Sequence, residues 1–283
     1  MKASVGAITV TRVIENGGPT RPTFLFPDAV PEALQRHRDW LMPHFMAPDG
    51  RFIANVQTYV VQAPGLTMLV DTCVGNDKVR QIKSWNMMRT SFLEDLTKAG
   101  FPQESIDLVL CTHLHVDHVG WNTRLVDGRW VPTFPRARYV FEQSEWAYWS
   151  KKDGDESGAL IDDSVRPVVE AGRADLVTSN HRISEEIWLE PTPGHTPGHV
   201  SVHLASRGAE AVITGDLMHH PVQCGEPDWH SHFDDDAVMA RATRKAFCAR
   251  YADRDVAILG THFAGPGPGR ILSHGEAWRF RAA

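Results

Sequence analysis

The run His113-Leu114-His115-Val116-Asp117-His118 places four side chains able to bind a metal within six residues. His113 and His115 are two apart, so on an extended segment they point the same way. Asp117 and His118 follow at once, where the chain must turn. Three more candidates stand among small residues near strand ends: His195 in Thr192-Pro193-Gly194-His195, Asp216 in Ile213-Thr214-Gly215-Asp216, and His262 in Leu259-Gly260-Thr261-His262. Imidazole and carboxylate are the donors that suit zinc or a similar borderline cation. Seven side chains are too many for one tetrahedral ion and suit two ions that share a carboxylate. A bound divalent ion lowers the pKa of water from 15.7 to about 7, which supplies hydroxide at neutral pH. Such a site attacks a carbonyl or phosphoryl centre and needs no serine or cysteine nucleophile.

The elements that must hold these residues can be read from the patterning. Residues 7–14 alternate apolar and polar, as a half-buried strand does. Residues 55–63 and 66–71 read as a hairpin turned at Pro64-Gly65. The spacing of Trp40, Leu41, Phe45 and Met46 predicts helix within 31–45, in an excursion over 27–50. Ser91 with Glu94 reads as a capping box opening a helix that stops at Gly100. Ile106–Cys111 is an apolar run of strand length just before the first ligand cluster. Arg138–Phe141 is predicted as a strand, followed by a helix with Trp146 and Trp149, a polar loop over 151–164 and a short helix over 165–172. Strands return at 187–189, 200–204 and 211–214. A helix runs from about Asp234 to Tyr251, begun by three aspartates that suit its positive end. Val256–Gly260 is the last strand predicted. Strands come in blocks first and alternate with helices later, which predicts a layered α/β sandwich rather than a doubly wound sheet. One domain spans 1–283, with excursions at 27–50 and 142–180 that overhang the site.

The bulk numbers agree with a soluble globular protein. The 283 residues are 42% hydrophobic and 23% charged, with a net charge of −6. No Lys/Arg-rich run marks a nucleic-acid face, and no apolar run is long enough to span a bilayer. The four cysteines, Cys73, Cys111, Cys224 and Cys248, form no Cys-x-x-Cys pair and read as reduced thiols of a cytoplasmic protein. The 15 histidines are about twice ordinary usage, and many sit beside Gly, Asp or Thr turns.

The seven-residue pattern resembles the metallo-β-lactamase superfamily. The resemblance runs from about residue 55 to 262 and implies a four-layer αββα sandwich. It implies that His113, His115 and His195 hold one metal, that Asp117, His118 and His262 hold the second, and that Asp216 bridges them. It also gives Asp71, at the end of the early hairpin, the task of orienting a metal ligand. The implied cofactor is two divalent ions, zinc first, with manganese, iron or cobalt as alternatives, and a bridging hydroxide as nucleophile. Asp216 stands where the commonest zinc β-lactamases carry Cys, and His115 where diiron flavoproteins of the superfamily carry Glu. The 21 residues after His262 are too few for the helical domain of glyoxalase II. What remains resembles the quorum-quenching lactonase and methyl parathion hydrolase branch, and implies a small lactone or carboxylic ester as substrate. Those lactonases carry Tyr three residues past the bridging Asp, where this chain has His219. His219 or His220 is therefore expected to contact substrate or leaving group. Trp121, Trp146, Trp149, Trp229 and Phe233 are candidate pocket residues, while His44, His203, His230 and His232 read as structural or surface. The alternatives are an organophosphate triesterase, a mononuclear iron persulfide dioxygenase and, lower, a non-enzymatic binding protein. A homodimer is compatible with the sequence.

Overall fold

The computed structural model describes residues 1–152 and 156–283, and the side chains of 156–158 are left aside. The chain divides into two compact units. One comprises Ile8–Asn16 and Val56–Thr178; the other comprises Met1–Ala7, Gly17–Asn55 and Ser179–Ala283. No helix among the described residues is long and apolar enough to cross a membrane.

A mixed sheet lies mostly in the first unit, while Lys2–Val5 and the residues 17–20 and 52–55 of its strands are counted with the other. Its seven strands run in the order Lys2–Val5, Ile8–Thr20, Phe52–Ala63, Leu66–Val70, Leu108–Leu110, Arg138–Glu142 and Ala174–Val177. Phe52–Ala63 and Leu66–Val70 form the predicted hairpin, with Ala63 opposite Leu66. From Leu66–Val70 onward the neighbours are parallel. The carboxyl ends Val70, Leu110 and Glu142 therefore share one side of the sheet. Leu69, Val109, Tyr139 and Phe141 form a core with Phe92 and Leu96 of the helix Phe92–Lys98 and with Val168 of the helix Arg166–Glu170.

The second unit is built on a six-stranded sheet ordered Ile187–Pro191, Val200–Ser206, Ala209–Ile213, Val256–Leu259, Gly269–His274 and Ala277–Ala282. Ala209–Ile213 and Val256–Leu259 are its parallel pair, which brings their carboxyl ends side by side. The helix Ala237–Tyr251 supplies Phe247 and Tyr251 to a core with Phe45, Phe52, Met218, Val222, Ile258 and Phe280.

Four expectations need correction. The predicted loop over 151–164 contains the helix Glu156–Ser164, whose Leu160 and Ile161 are buried in the first core; residues 153–155 lie outside the described ones. Two apolar side chains among polar ones suffice for a helix with one face packed. The helical periodicity in 31–45 is realised as single turns, Pro31–Leu34, Gln35–His37 and Arg38–Leu41, not as one helix. Val256–Leu259 is not the last strand: the hairpin Gly269–His274 with Ala277–Ala282 follows, with Ile271 paired to Phe280 as its buried residues. Ser91 is the helix N-cap residue but makes no capping bond; its hydroxyl donates to Asp95 at 2.5 Å instead.

Candidate metal centre

In the first unit, the strand Leu108–Leu110 delivers Cys111 and Thr112 directly into His113. Its parallel neighbour ends at Val70, so Asp71 lies alongside, and the Asp71 amide donates to the Leu110 carbonyl at 2.8 Å. Asp71 takes φ +61°, a left-handed conformation that Asp adopts more readily than most residues. From there its fully buried carboxylate accepts from the Thr112 amide at 2.8 Å and from the Thr112 hydroxyl at 3.0 Å. It also faces His118 Nδ1 at 3.0 Å. The Thr112 hydroxyl lies 3.1 Å from His113 Nδ1. A turn closed by the His118 amide on the His115 carbonyl gathers the rings, with centroids of His113 and His118 4.0 Å apart and of His113 and His115 4.6 Å apart. Behind the turn, Gly120 packs on the Val74 backbone so closely that a Cβ would sit 1.8 Å from the Val74 carbonyl oxygen.

In the second unit, three imidazoles meet on the Asp216 carboxylate. Asp216 follows the strand Ala209–Ile213, and His262 follows its parallel neighbour Val256–Leu259. The two are side by side, with His262 Nε2 3.0 Å from Asp216 Oδ1. His219 Nε2 is 3.3 Å and His195 Nε2 3.6 Å from Asp216 Oδ2. The outer nitrogens are tied down: His262 Nδ1 donates to the Asn55 carbonyl at 2.7 Å and His195 Nδ1 to Asp234 at 2.9 Å. The Asp216 amide donates to His199 Nε2 at 2.8 Å, and His199 Nδ1 donates to the Thr192 carbonyl at 3.0 Å. The His195 loop rests on the helix Ala237–Tyr251 through Gly194, where φ is +128° and a Cβ would sit 2.3 Å from the Ala240 nitrogen. Only glycine fits there.

Donor atoms form four overlapping groups, in each of which one donor per residue lies within 4.8 Å of the others. They are His113, His115 and His195; His113, His118 and Asp216; Asp117, His118 and His262; and His195, Asp216 and His219. This donor set fits a pair of divalent ions. In His118, His195 and His262 the Nδ1 atom faces an oxygen, which leaves Nε2 to serve as the donor, as metal-binding histidines require. All seven residues singled out from the sequence take part.

His219 joins one of these groups. Its ring is buried, and neither ring nitrogen has a hydrogen-bond partner among the described residues. Burial pushes its pKa down to about 3, against the pull of Asp216 and with the help of His195, so the ring is neutral at pH 7. His220 points the other way. It donates from Nε2 to the Phe45 carbonyl at 2.8 Å, accepts from the Val222 amide at 3.2 Å and stacks on Phe52 with centroids 3.8 Å apart. Both of its nitrogens serve the backbone, and it is a packing residue.

The aromatic candidates separate in the same manner. Trp149 stands edge-on to His115 at 5.1 Å, with its indole nitrogen donating to Glu145 at 2.7 Å. Phe233 lies 6.4 Å from His219. Trp121, placed on the pocket rim from the sequence, is instead core: it is buried, stacks on Phe92 and donates to Glu15 at 2.5 Å. Trp229 is buried beside Phe26, and Trp146 packs against the first core. Sequence reading missed Asp234, His199 and Glu145. The first was taken for part of a helix cap. Asp236 is the cap, accepting from the Val238 and Met239 amides, while Asp234 turns to His195.

Among solved structures, the hydrolase AbOPH of the beta-lactamase superfamily is similar over 100% of this chain and 96% of its own, with 23% identity and a TM-score of 0.81. AidC, a dizinc quorum-quenching lactonase in complex with a product, is similar over 100% and 97%, at 20% identity and a TM-score of 0.78. A probable metal-dependent hydrolase from Staphylococcus aureus is similar over 99% of both chains, at 18% identity and a TM-score of 0.74. No curated protein matches the chain. These likenesses show the fold, an α/β sandwich with mixed sheets flanked by helices. The family profile matches residues 53–271, a span that contains all seven candidate ligand residues, and the chain belongs to the metallo-beta-lactamase superfamily.

Proposed function

We propose that the chain is a zinc hydrolase with two ions that opens a small lactone or cleaves a carboxylic ester. The observation that carries this reading is the Asp216 carboxylate ringed by the Nε2 atoms of His195, His219 and His262 at 3.0–3.6 Å. A carboxylate so placed is suited to bridging two cations. His113, His115 and His195 would hold one ion, Asp117, His118 and His262 would hold the other, and Asp216 would serve both. When bound, the ions supply Lewis acidity and activate water.

The protein's own groups do the rest. Asp71, Asp234 and the Asn55 carbonyl fix the tautomers of His118, His195 and His262. His219, neutral and buried against Asp216, is placed to meet the substrate carbonyl or its leaving oxygen. Trp149 beside His115, at 5.1 Å, supports specificity in the segment 142–180, and Phe26, the residue just before the segment 27–50, lies beside His219 at 6.2 Å. Lactones are favoured as the substrate class by the likeness to AidC, a quorum-quenching lactonase. Four free, buried cysteines support a cytoplasmic location.

The test is a matched assay of the metal-loaded protein on an aliphatic lactone, an aryl ester, a phosphotriester and a β-lactam. The lactone or ester should give the highest kcat/KM, and chelation should abolish turnover. A leading phosphotriester or β-lactam, or activity that survives chelation, contradicts the reading.

A further inference from the structure

The helix Ala237–Tyr251 carries Arg244, whose side chain is fully buried. Burial pulls its pKa below the ordinary guanidinium value, opposed first by Asp234. A buried cation needs a strong reason to be there, and its hydrogen bonds and nearest carboxylate lie on the segments that carry Asp216 and Asp234. Nε donates to the Leu217 carbonyl at 3.0 Å, on the residue next to Asp216. Nη1 donates to the Trp229 carbonyl at 2.8 Å and to the Pro227 carbonyl at 3.0 Å, in the loop that leads to Asp234. Nη2 has no hydrogen-bond partner among the described residues and stands 3.7 Å from Asp234 Oδ2. Asp234 is itself fully buried in its side chain. Its Oδ2 accepts from the Ser231 amide at 2.8 Å and its Oδ1 from His195 Nδ1 at 2.9 Å.

We propose that Arg244 is a positioning residue for the metal centre, acting on the His195 donor through Asp234 and on the Asp216 donor through the Leu217 carbonyl. The geometry is a relay: guanidinium to carboxylate at 3.7 Å, carboxylate to imidazole Nδ1 at 2.9 Å, and imidazole Nε2 facing Asp216 at 3.6 Å, where a metal ion would be held. The positive charge balances the Asp234 carboxylate where both side chains are fully buried, and the planar fork reaches three carbonyls at once, which a lysine cannot do. Losing the guanidinium frees the 217–219 segment and lets the Asp234 carboxylate swing from His195. The inference rests on the two-ion reading of the site but not on the identity of the substrate.

The experiment measures zinc affinity by competition with a chromophoric chelator, and the visible spectrum of the cobalt-substituted protein, for the parent chain and for Arg244→Met, Arg244→Lys, Asp234→Asn and Asp234→Ala. Arg250→Ala, which removes an exposed partner of Glu190, is the control. The parent chain should bind two ions. Arg244→Met and Asp234→Ala should weaken one of the two by about 10- to 100-fold, the range seen for partners of metal ligands, and shift the cobalt bands. Asp234→Asn and Arg244→Lys should fall between these and the control. If the Arg244 variants do not fold, the Asp234 pair decides the matter. Unchanged affinities and spectra in the folded variants overturn the proposal while leaving the metal centre intact. A parent chain that binds no metal overturns the two-ion reading itself.

Discussion

Replacing Asp71 by Asn tests how the outer partners control the centre. The substitution keeps the shape, and Asn tolerates the left-handed backbone at this position, φ +61°. One oxygen remains for the Thr112 amide, 2.8 Å away. The other becomes an NH2 group that faces His118 Nδ1 across 3.0 Å. Two donors then oppose each other in a fully buried site. Keeping the Nδ1 proton leaves a buried donor unsatisfied, at about 1–3 kcal/mol. Moving the proton to Nε2 relieves that clash but removes the lone pair that the ion needs. Either route costs the site around His118 about 10- to 100-fold in affinity, which agrees with the energy at ~1.4 kcal/mol per tenfold. Calorimetric titration of the metal-free protein with zinc should show one site weakened and the other retained, while the melting temperature of the metal-free protein changes little. Two sites titrating within twofold of the parent would refute the tautomer argument.

Two further consequences concern stability. Arg80 clasps Asp163 with bonds of 2.7 and 2.9 Å, while Lys78 reaches the same carboxylate only at 3.4 Å. Burial lowers the Lys78 pKa to about 7 despite Asp163. Arg80→Met should therefore cost about 3–5 kcal/mol and Lys78→Met less than half as much in urea unfolding; equal losses would show that the two cations are equivalent. His219 and His220 are both held near pKa 3 by burial, below the ordinary 6.5. Between these values the unfolded chain binds more protons, so their contribution is complete above pH 6.5 and drains away as pH falls toward 3, at up to about 1.4 kcal/mol per pH unit for each group. In the metal-free protein, His220→Gln should make the decline from pH 6.5 to 4.5 shallower; an unaltered slope would mean that His220 is not the titrating group.

The candidate ligands were legible because metal chemistry writes itself in short local spacing, as in His113 to His118, and because strand ends beside glycine mark Asp216 and His262. Asp71 was named by resemblance alone; the left-handed turn that aims it is not visible in its neighbours. Asp234 was hidden by Asp235 and Asp236, since a run of acids before a helix reads as a cap, and its partner His195 is 39 residues away. His219 and His220 could not be told apart in the sequence. Extended backbone at Met218 and the alternation of neighbouring side chains send one to the donors and the other to Phe45 and Phe52. Trp121 looked like a rim residue because it adjoins the ligand run, yet the close packing of Gly120 turns it inward to Glu15. The hairpin after His262 went unread because its buried residues, Ile271 and Phe280, sit among charged and polar neighbours.

The central claim is that the seven residues hold two ions that carry the reaction. Metal content of the purified protein by mass spectrometry, measured on the same sample as hydrolysis of its best lactone or ester before chelation, after chelation and after zinc is restored, tests it most directly. The account predicts two divalent ions per chain, loss of turnover on chelation and recovery that requires the second equivalent of zinc. One iron per chain, or turnover restored in full by a single equivalent, would contradict it.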